Sequence, residues 1–320
     1  YQANSLYGFP YRKLKILAVT GTDGKTTTTQ MIYHILKVNG FKVAYLSTIS
    51  ARIGDKELDT GFHVTTPDPW LVPKYLKMMV EAGMEYLVLE ATSQGLVQNR
   101  LWGMQFEAAA ITNIKTDHLD YHKTWENYAA AKFLILKKLK PGGLAALNGD
   151  DSKAAAWLRA RIDELKPDID QQWFSKEELS DVQQSIDGLK FRYHEQDFEL
   201  PLLGRFNLEN ALAAVKLTHK YLSLPRIAQA LKTFPTPVGR MQVMQKEPFL
   251  VIIDFAHTPH ALKAALATVQ EIRPKGGRII TVFGCAGKRD KDRREMGRVS
   301  AEMADITVLT AEDPRDERLF

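Results

Sequence analysis

The sequence predicts an α/β protein in which a larger domain built on a mostly parallel sheet precedes a smaller α/β domain. Two observations predict this class. Short apolar segments of strand length alternate along the chain with segments of helical periodicity, an order typical of parallel sheets covered by helices. A glycine-containing turn joins the first such strand to the first such helix, the position where α/β proteins bind phosphate groups.

The first half of the chain repeats this strand and helix order. The first strand is predicted at residues 16–20, and a helix follows because Met31, Ile32, Ile35 and Leu36 recur at helical spacing. The further predicted strands lie at residues 43–46, 86–90, 109–112 and 144–147, and a helix is predicted at 125–139. Such an order favours a parallel sheet with helices on its faces.

The pattern changes in the second half. From about residue 171 to 203 the apolar residues alternate with a period of two, which predicts antiparallel strands, and helices follow at 207–221 and 225–232. Prolines and a glycine at 234–239 are typical of a linker. Beyond it we expect strands at 249–254, 278–283 and 306–309, with helices at 260–271 and 293–303. The predicted division is therefore an N-terminal stub at 1–13, a central domain at 14–238 and a C-terminal domain at 239–320.

Composition excludes several classes of protein. The 320 residues are 45% hydrophobic and 25% charged, which argues against a disordered, collagen-like or coiled-coil protein. The net charge of +5 comes from interspersed charges of both signs, so we expect no nucleic acid partner. A single cysteine, Cys285, and the absence of a long apolar run or a signal-like start predict a cytoplasmic protein without membrane insertion.

The turn after the first strand has the composition of a phosphate-binding loop. Its residues are Gly21, Thr22, Asp23, Gly24, Lys25, Thr26 and Thr27. Backbone N–H groups at a helix N-terminus attract phosphate, a lysine there reaches the β and γ phosphates, and the following hydroxyl binds Mg²⁺. Val19 occupies the first glycine position of the usual pattern. The alternative interpretation is an ordinary glycine turn with a solvated lysine.

Polar side chains follow two more predicted strands. Glu90 ends one strand, and the segment 112–122 after the next contains two aspartates and two histidines, Asp117, His118, Asp120 and His122. Because ligands bind at the carboxyl ends of strands in open α/β sheets, these groups could form a cation site or a catalytic loop. The alternative is that they cap the next helix and line a surface loop.

Eight motifs in one order resemble those of the Mur ligases. They are the segments 18–27, 63–68, 90–93, 112–122, 204–210, 239–241, 254–259 and 284–290. Thr65-Thr66-Pro67 and the segment 96–100 resemble the branch that adds the third amino acid to UDP-N-acetylmuramoyl-L-alanyl-D-glutamate. The resemblance implies a P-loop ATPase-like central domain and a Rossmann-like C-terminal domain that is incomplete. It also implies that the family's N-terminal domain, which binds uridine diphosphate, is missing or reduced to the stub.

The resemblance also implies roles for individual residues. Lys25 and Thr26 would hold the phosphates of ATP and Mg²⁺, with Glu90 and His118 as further metal ligands. Lys132 matches a carbamylated lysine, whose negative charge would bind a second Mg²⁺, whereas the residue alone would be an ordinary surface lysine. The remaining implied contacts are the nucleotide contacts Gly21, Thr22, Gly24, Thr27, Asn113, Asn207, Arg240 and Asp254, the catalytic His257, and the dipeptide contacts Thr65, Thr66, Thr92 and Arg100.

The implied reaction is ATP-dependent amide-bond formation. The carboxylate of D-glutamate takes the γ-phosphoryl group, and the amine of the incoming amino acid displaces it. Arg315, in Glu312-Asp313-Pro314-Arg315, matches the arginine of the family's Asp-Asn-Pro-Arg box, so the expected amino acid is meso-diaminopimelate. We expect small-molecule substrates only and a monomer. Two alternatives stay open, a ligase like folylpolyglutamate synthetase and an ATP-binding module without turnover.

Overall fold

The computed structural model describes residues 2–47, 50–54, 56–59, 70–165, 168–285 and 294–311. The helices in these ranges are α1 (Gln2–Leu6), α2 (Lys25–Val38), α3 (Leu71–Glu81), α4 (Ser93–Val97), α5 (Leu119–His122), α6 (Trp125–Phe133), α7 (Ser152–Leu165), α8 (Phe206–His219), α9 (Leu224–Lys232), α10 (Pro259–Ile272) and α11 (Met296–Met303). Short 3-10 helices cover Pro10–Lys13, Leu136–Lys138 and Lys176–Glu178.

The strands form one large sheet and three small ones. They are β1 (Lys15–Thr20), β2 (Val43–Leu46), β3 (Ser50–Ile53), β4 (Lys56–Asp59), β5 (Tyr86–Glu90), β6 (Phe106–Ile111), β7 (Leu139–Asn148), β8 (Ile169–Phe174), β9 (Leu179–Ser185), β10 (Gly188–Tyr193), β11 (Gln196–Leu200), β12 (Gln242–Gln245), β13 (Val251–Ile253), β14 (Ile280–Phe283) and β15 (Ile306–Leu309). The large sheet has the order β4-β3-β2-β5-β1-β6-β7-β8. In this order the six strands from β2 to β8 are all parallel, and β3 and β4 are antiparallel at one edge.

Helices cover both faces of the large sheet because its central strands are apolar on both sides. In β1, Leu17 and Val19 pack with α2 and α8, whereas Ile16 and Ala18 point to the opposite face and pack with α3 and α6. Side chains alternate between the faces of a strand, so a strand that is covered on both faces is apolar at every position. The predicted α/β class with a mostly parallel sheet is confirmed.

Only part of the segment from residue 171 onward forms the predicted antiparallel strands. β9, β10 and β11 form the expected antiparallel sheet, and Phe191 and Phe198 stack at 5.2 Å. Residues 171–174, however, belong to β8, which pairs in parallel with β7. The prediction was wrong there because α7 lies between the two strands and provides the crossover that a parallel pair needs.

The chain beyond residue 239 forms a smaller α/β unit. β14 and β15 pair in parallel, β12 and β13 pair antiparallel, and α10 packs against α11. An apolar cluster of Leu203, Met241 and Ala265 joins this unit to the preceding part. The exact domain limits stay a prediction. Among the described residues, no helix combines the length and apolar character needed to cross a bilayer.

Candidate active site

The phosphate loop, residues 21–24, joins β1 to α2 at the centre of the large sheet. β1 lies between β5 and β6. The loop after it therefore lies at the carboxyl ends of the parallel strands, where open α/β sheets bind ligands. Gly24 has φ 80°, a left-handed conformation that leads the chain into α2. The N-terminus of α2, with Thr26 and Thr27 buried in its first turn, therefore faces the loop, which suits the binding of phosphate.

Lys25 begins α2, and its side chain folds back over the phosphate loop. Its Nζ donates to the carbonyl oxygens of Gly21 and Thr22 at 3.1 and 2.8 Å. The ammonium is thus held over the loop by weak neutral acceptors. Phosphate oxygens bound by the loop would be stronger, charged acceptors for the same group.

Two side chains from the end of β6 support the phosphate loop from below. Oδ1 of Asn113 accepts hydrogen bonds from the N–H groups of Thr22 and Asp23 at 3.1 and 2.9 Å. The hydroxyl of Thr112 donates to the carbonyl oxygen of Asp23 at 2.6 Å. These bonds fix the backbone of the loop before any ligand binds. The predicted contact of Asn113 with the nucleotide stays a prediction.

Helix α8 closes the other side of the phosphate loop. A Cβ placed on Gly24 would lie 2.0 Å from Oδ1 of Asn210, so only glycine fits at this position. Nδ2 of Asn210 donates to Oδ1 of Asn207 at 2.8 Å, and Nδ2 of Asn207 donates to the carbonyl oxygen of Leu203 at 2.7 Å. Asn207 therefore reaches the loop through Asn210.

Thr26 and Glu90 form a buried pair of oxygen donors beside the loop. The hydroxyl of Thr26 donates to Oε2 of Glu90 at 3.0 Å, and the two residues are 4% and 1% exposed. Mg²⁺ prefers oxygen ligands and takes only one or two from the protein when phosphates supply the rest. The pair fits Mg²⁺, although no cluster of three or more His, Cys, Asp or Glu side chains exists among the described residues.

Lys132 is not a surface residue but lies buried under the phosphate loop. The residue is 1% exposed, its Nζ donates to the carbonyl oxygen of Gly21 at 2.5 Å, and the same atom lies 4.3 Å from the centroid of the Tyr128 ring. Burial, and secondly the charge of Lys25, hold the pKa of Lys132 well below its ordinary value. The interpretation as an ordinary surface lysine is therefore wrong. The amine of Lys132 lies close to any group that binds at the phosphate loop.

The loop after β6 places its histidines at different positions. His118 has φ 55° at the start of α5, and its Nε2 lies 3.4 Å from Oδ2 of Asp117, a carboxylate that is 9% exposed. His122 is buried, with its Nε2 3.0 Å from the hydroxyl of Ser93. Both imidazole rings lie near the Tyr128 ring, at 6.3 Å for His118 and 5.2 Å for His122, and His122 also connects α5 to α4 through Ser93.

The structure describes two of the four residues that we expect to bind the dipeptide, Thr92 and Arg100. The hydroxyl of Thr92 caps α4 by accepting from the N–H of Gly95 at 3.0 Å, and Nε of Arg100 donates to Gln98 at 2.9 Å. Thr92 follows β5 directly after Glu90 and Ala91. It therefore lies at the carboxyl ends of the parallel strands, as the phosphate loop does. Thr65, Thr66 and Arg315 lie outside the described residues.

The C-terminal unit contributes three of the predicted site residues. Asp254 accepts from the N–H groups of Met241 and Ala256, both at 2.8 Å, but burial raises its pKa above the ordinary value. The guanidinium of Arg240 lies 4.6 Å from the centroid of the Phe255 ring, and the ring of His257 lies 4.9 Å from the same ring. The negative charge of Asp23, in the phosphate loop, adds a smaller contribution to this rise in the pKa of Asp254.

Sequence reasoning did not assign a role to several residues of the site. Thr112 and Asn210 hold the loop, and Asn148 donates to the carbonyl oxygen of Thr112 at 2.7 Å. Asn210 follows Asn207 by three residues, a helical spacing that places both on one face of α8. That spacing was a usable signal, whereas nothing in the local sequence around Asn148 indicates its position.

Both parts of the chain match families of known proteins. The profile of the Mur ligase middle domain matches residues 19–218, and that of the Mur ligase glutamate ligase domain matches residues 239–319. The UDP-N-acetylmuramoyl-L-alanyl-D-glutamate--2,6-diaminopimelate ligases of Chlamydia felis and Clostridium perfringens are 34% and 36% identical to the chain. Each alignment covers 98% of the chain and 66% of the relative, so the chain spans just under two thirds of the length of these relatives.

Solved structures agree with this assignment. A UDP-N-acetylmuramoyl-L-alanyl-D-glutamate--2,6-diaminopimelate ligase matches 99% of the chain and 66% of its own length, with 30% identity and a TM-score of 0.73. The apo form of a folylpolyglutamate synthetase from L. casei shares the fold, with a TM-score of 0.78 at 18% identity, over 100% of this chain and 84% of its own. Because the middle-domain profile alone matches more than half of the chain, the chain belongs to the Mur ligase family.

Proposed function

We propose that the protein is an ATP-dependent ligase that adds diaminopimelate to UDP-N-acetylmuramoyl-L-alanyl-D-glutamate, a step of peptidoglycan precursor synthesis. The observation that carries the proposal is the phosphate loop with Lys25 above it and the Thr26–Glu90 pair beside it. The names of the relatives, which specify this reaction, support the choice of substrates. A cytoplasmic location and a monomeric state stay predictions.

The phosphate loop would bind ATP through the N-terminus of α2 and through Lys25. Lys25 exchanges the carbonyl oxygens of Gly21 and Thr22 for phosphate oxygens, and its charge stabilises the phosphoryl group during transfer. Asn113 and Thr112 keep the loop in one conformation, so little ordering is required when the nucleotide binds.

Mg²⁺, bound by Thr26 and Glu90, would offset the negative charge of the phosphates. In the structure the hydroxyl of Thr26 donates a hydrogen bond to Glu90. With Mg²⁺ bound, this hydroxyl would rotate to offer its oxygen to the cation, and the carboxylate of Glu90 would be released from the hydrogen bond. His118 and a carbamylated Lys132 are the further ligands that we propose. Both lie on the α6 side of the loop, near the Tyr128 ring.

The C-terminal unit would complete the nucleotide site. Asp254, with its raised pKa, is positioned by two backbone N–H groups to accept hydrogen bonds from ribose hydroxyls. Arg240 and His257 flank the Phe255 ring on the same unit. Arg315 would pair bidentately with the distal carboxylate of diaminopimelate, a position where the ammonium of lysine would be repelled.

The test is an assay of ADP release and product mass with the muramoyl dipeptide. We expect turnover with diaminopimelate, little with lysine, and none with folate and glutamate. Lys25→Ala should lower turnover on the order of 10³-fold while the thermal unfolding temperature stays near that of the parent. Lys42→Ala is the matched control, because this lysine is 66% exposed and pairs with Glu85.

Each alternative has its own outcome in this assay. Turnover of folate would favour a folylpolyglutamate synthetase-like ligase, and nucleotide binding without any product would favour a binding module. Equal use of lysine and diaminopimelate would refute the role of Arg315 in specificity. Normal turnover of Lys25→Ala would refute the phosphate-loop assignment.

A further inference from the structure

A cavity of about 380 Å³ lies along one face of α2, separate from the phosphate loop. Its walls include Tyr33, His34 and Lys37 of α2, Tyr45 of β2, Arg52 of β3 and Phe234 after α9. On α2 the residues 30, 33, 34, 37 and 38 line it, which is the spacing of one helix face. Lys25 and Thr26 lie at the start of the helix, so this cavity does not belong to the site described above.

The cavity combines aromatic walls with positive charge. Nζ of Lys37 lies 5.7 Å from the centroid of the Tyr33 ring, and the guanidinium of Arg52 lies 5.9 Å from that of the Tyr45 ring. None of the described residues that line the cavity is acidic. Glu57, next to it, accepts from one nitrogen of Arg52 at 2.9 Å, which leaves the guanidinium further N–H groups to offer.

One buried polar group in the wall has no hydrogen-bond partner among the described residues. Tyr33 is 5% exposed, and its hydroxyl makes no hydrogen bond within the part of the chain that the structure describes. The neighbouring Tyr45 is 2% exposed, but its hydroxyl bonds to that of Ser50 at 2.8 Å. A buried hydroxyl without a partner is costly, so a ligand that accepts its hydrogen would gain affinity.

We propose that this cavity binds a small aromatic anion, a carboxylate or phosphate attached to one planar ring. The ring would pack against Tyr33, Tyr45 and Phe234, and the anionic oxygens would face Lys37, Arg52 and the Tyr33 hydroxyl. The cavity volume is at the lower end of the range for small-molecule sites, so one ring with its acid group fills it. A bare inorganic anion would leave the aromatic walls without contact.

The test measures binding of benzoate and phenyl phosphate to the protein by calorimetry, with acetate and benzyl alcohol as probes that lack either the ring or the charge. We expect benzoate and phenyl phosphate to bind in the millimolar range or tighter, and acetate and benzyl alcohol to bind at least about tenfold more weakly. Lys37→Gln and Tyr33→Phe should each weaken benzoate binding about tenfold.

Three control variants test whether benzoate binds in this cavity. Lys42→Gln, at an exposed lysine outside the cavity, and Lys25→Ala, in the phosphate loop, should leave benzoate binding unchanged. Tyr33→Phe should unfold at the same or a higher temperature, since the lost hydroxyl had no partner among the described residues. The proposal is overturned if neither aromatic anion binds, or if Lys37→Gln and Tyr33→Phe both bind benzoate like the parent.

Discussion

The side-chain nitrogens of Lys132 and Lys25 both donate to the carbonyl oxygen of Gly21, at 2.5 and 3.1 Å. One backbone acceptor of the phosphate loop is therefore shared by the two lysines. Burial, and secondly the like charge of Lys25, lower the pKa of Lys132, which favours its neutral form. A neutral, buried amine beside a phosphate site has consequences for both stability and chemistry.

The substitution Lys132→Met should remove a pH-dependent contribution to folding. The pKa of Lys132 is lowered from its ordinary value of 10.5 by burial and then by Lys25, so between the folded and unfolded pKa values the unfolded chain binds more protons. The free energy of unfolding of the parent therefore rises with pH in that window, by up to about 1.4 kcal/mol per pH unit, and levels off above the unfolded value. Urea unfolding at several pH values up to 10 measures this. A gap between variant and parent that does not change with pH would contradict the buried neutral amine.

Lys132 should also carry a carbamate in the active protein. A neutral amine attacks carbon dioxide, forming a nitrogen–carbon bond and releasing one proton, and the lowered pKa of Lys132 increases the fraction of its amine that is neutral. In ¹³C-bicarbonate we expect one carbamate signal that Lys132→Gln lacks. Lys138→Gln should retain it, although burial lowers the pKa of Lys138 too.

Activity gives the second measurement of the carbamate. Lys132→Ala should be inactive, and a small carboxylic acid added with bicarbonate should restore part of the turnover by supplying the lost anion. A carbamate signal that persists in Lys132→Gln, or full activity of Lys132→Ala, would remove the claim.

Gly24→Ala should destroy nucleotide binding through a clash and not only through backbone strain. Gly24 has φ 80°, and the new Cβ would lie 2.0 Å from Oδ1 of Asn210. Gly40 is a matched control, because it has φ 85° and nothing within 4 Å of its Cβ position. Both variants should lose roughly 1–2 kcal/mol of stability from the left-handed conformation. Only Gly24→Ala should also lose ADP binding in calorimetry, and equal binding by the two variants would show that Asn210 can move aside.

The fold could be predicted from the sequence where a strand is a short, largely apolar segment. β2, β5 and β15 are such segments, and each has the predicted limits. β3 and β4 at the sheet edge were missed, since edge strands such as Lys56–Asp59 are polar and are stabilised by pairing rather than by their own composition. β8 was misassigned for a related reason, because its parallel partner is separated from it by a helix.

The site could be predicted less completely than the fold. The segment 21–27 is contiguous, so its pattern identifies it, but the groups that support it are distant in sequence. Asn113 lies 90 residues from Asp23, and Lys132 lies 111 residues from Gly21. The residues before Lys132 are alanines, which are compatible with either face of a helix. Helical periodicity therefore does not predict that Lys132 faces inward under the loop. Only the resemblance to a family indicated its role, and the structure adds its burial and its acceptor.

The ion pair of Arg205 with Glu271 should control how well the C-terminal unit completes the nucleotide site. Arg205 precedes α8, and its Nε and Nη2 both donate to Oε1 of Glu271 on α10, at 2.9 and 2.6 Å. The pair joins the helix that carries Asn207 to the unit that carries Asp254. The two side chains are 50% and 35% exposed, so we expect a coupling energy below about 1 kcal/mol in a double-mutant cycle.

The effect on catalysis should exceed the effect on stability, because the pair orients one unit on the other rather than holding either together. Arg205→Glu should raise the KM for ATP several-fold and leave the unfolding temperature within a few degrees of the parent's. The swapped pair Arg205→Glu with Glu271→Arg should restore KM, since the attraction is re-formed with the charges exchanged. The matched control is Lys232→Glu, which breaks a similarly exposed pair with Glu199 inside the central part of the chain and should leave KM unchanged. If the swapped variant stayed as impaired as Arg205→Glu, the charge pair would not be what positions the C-terminal unit.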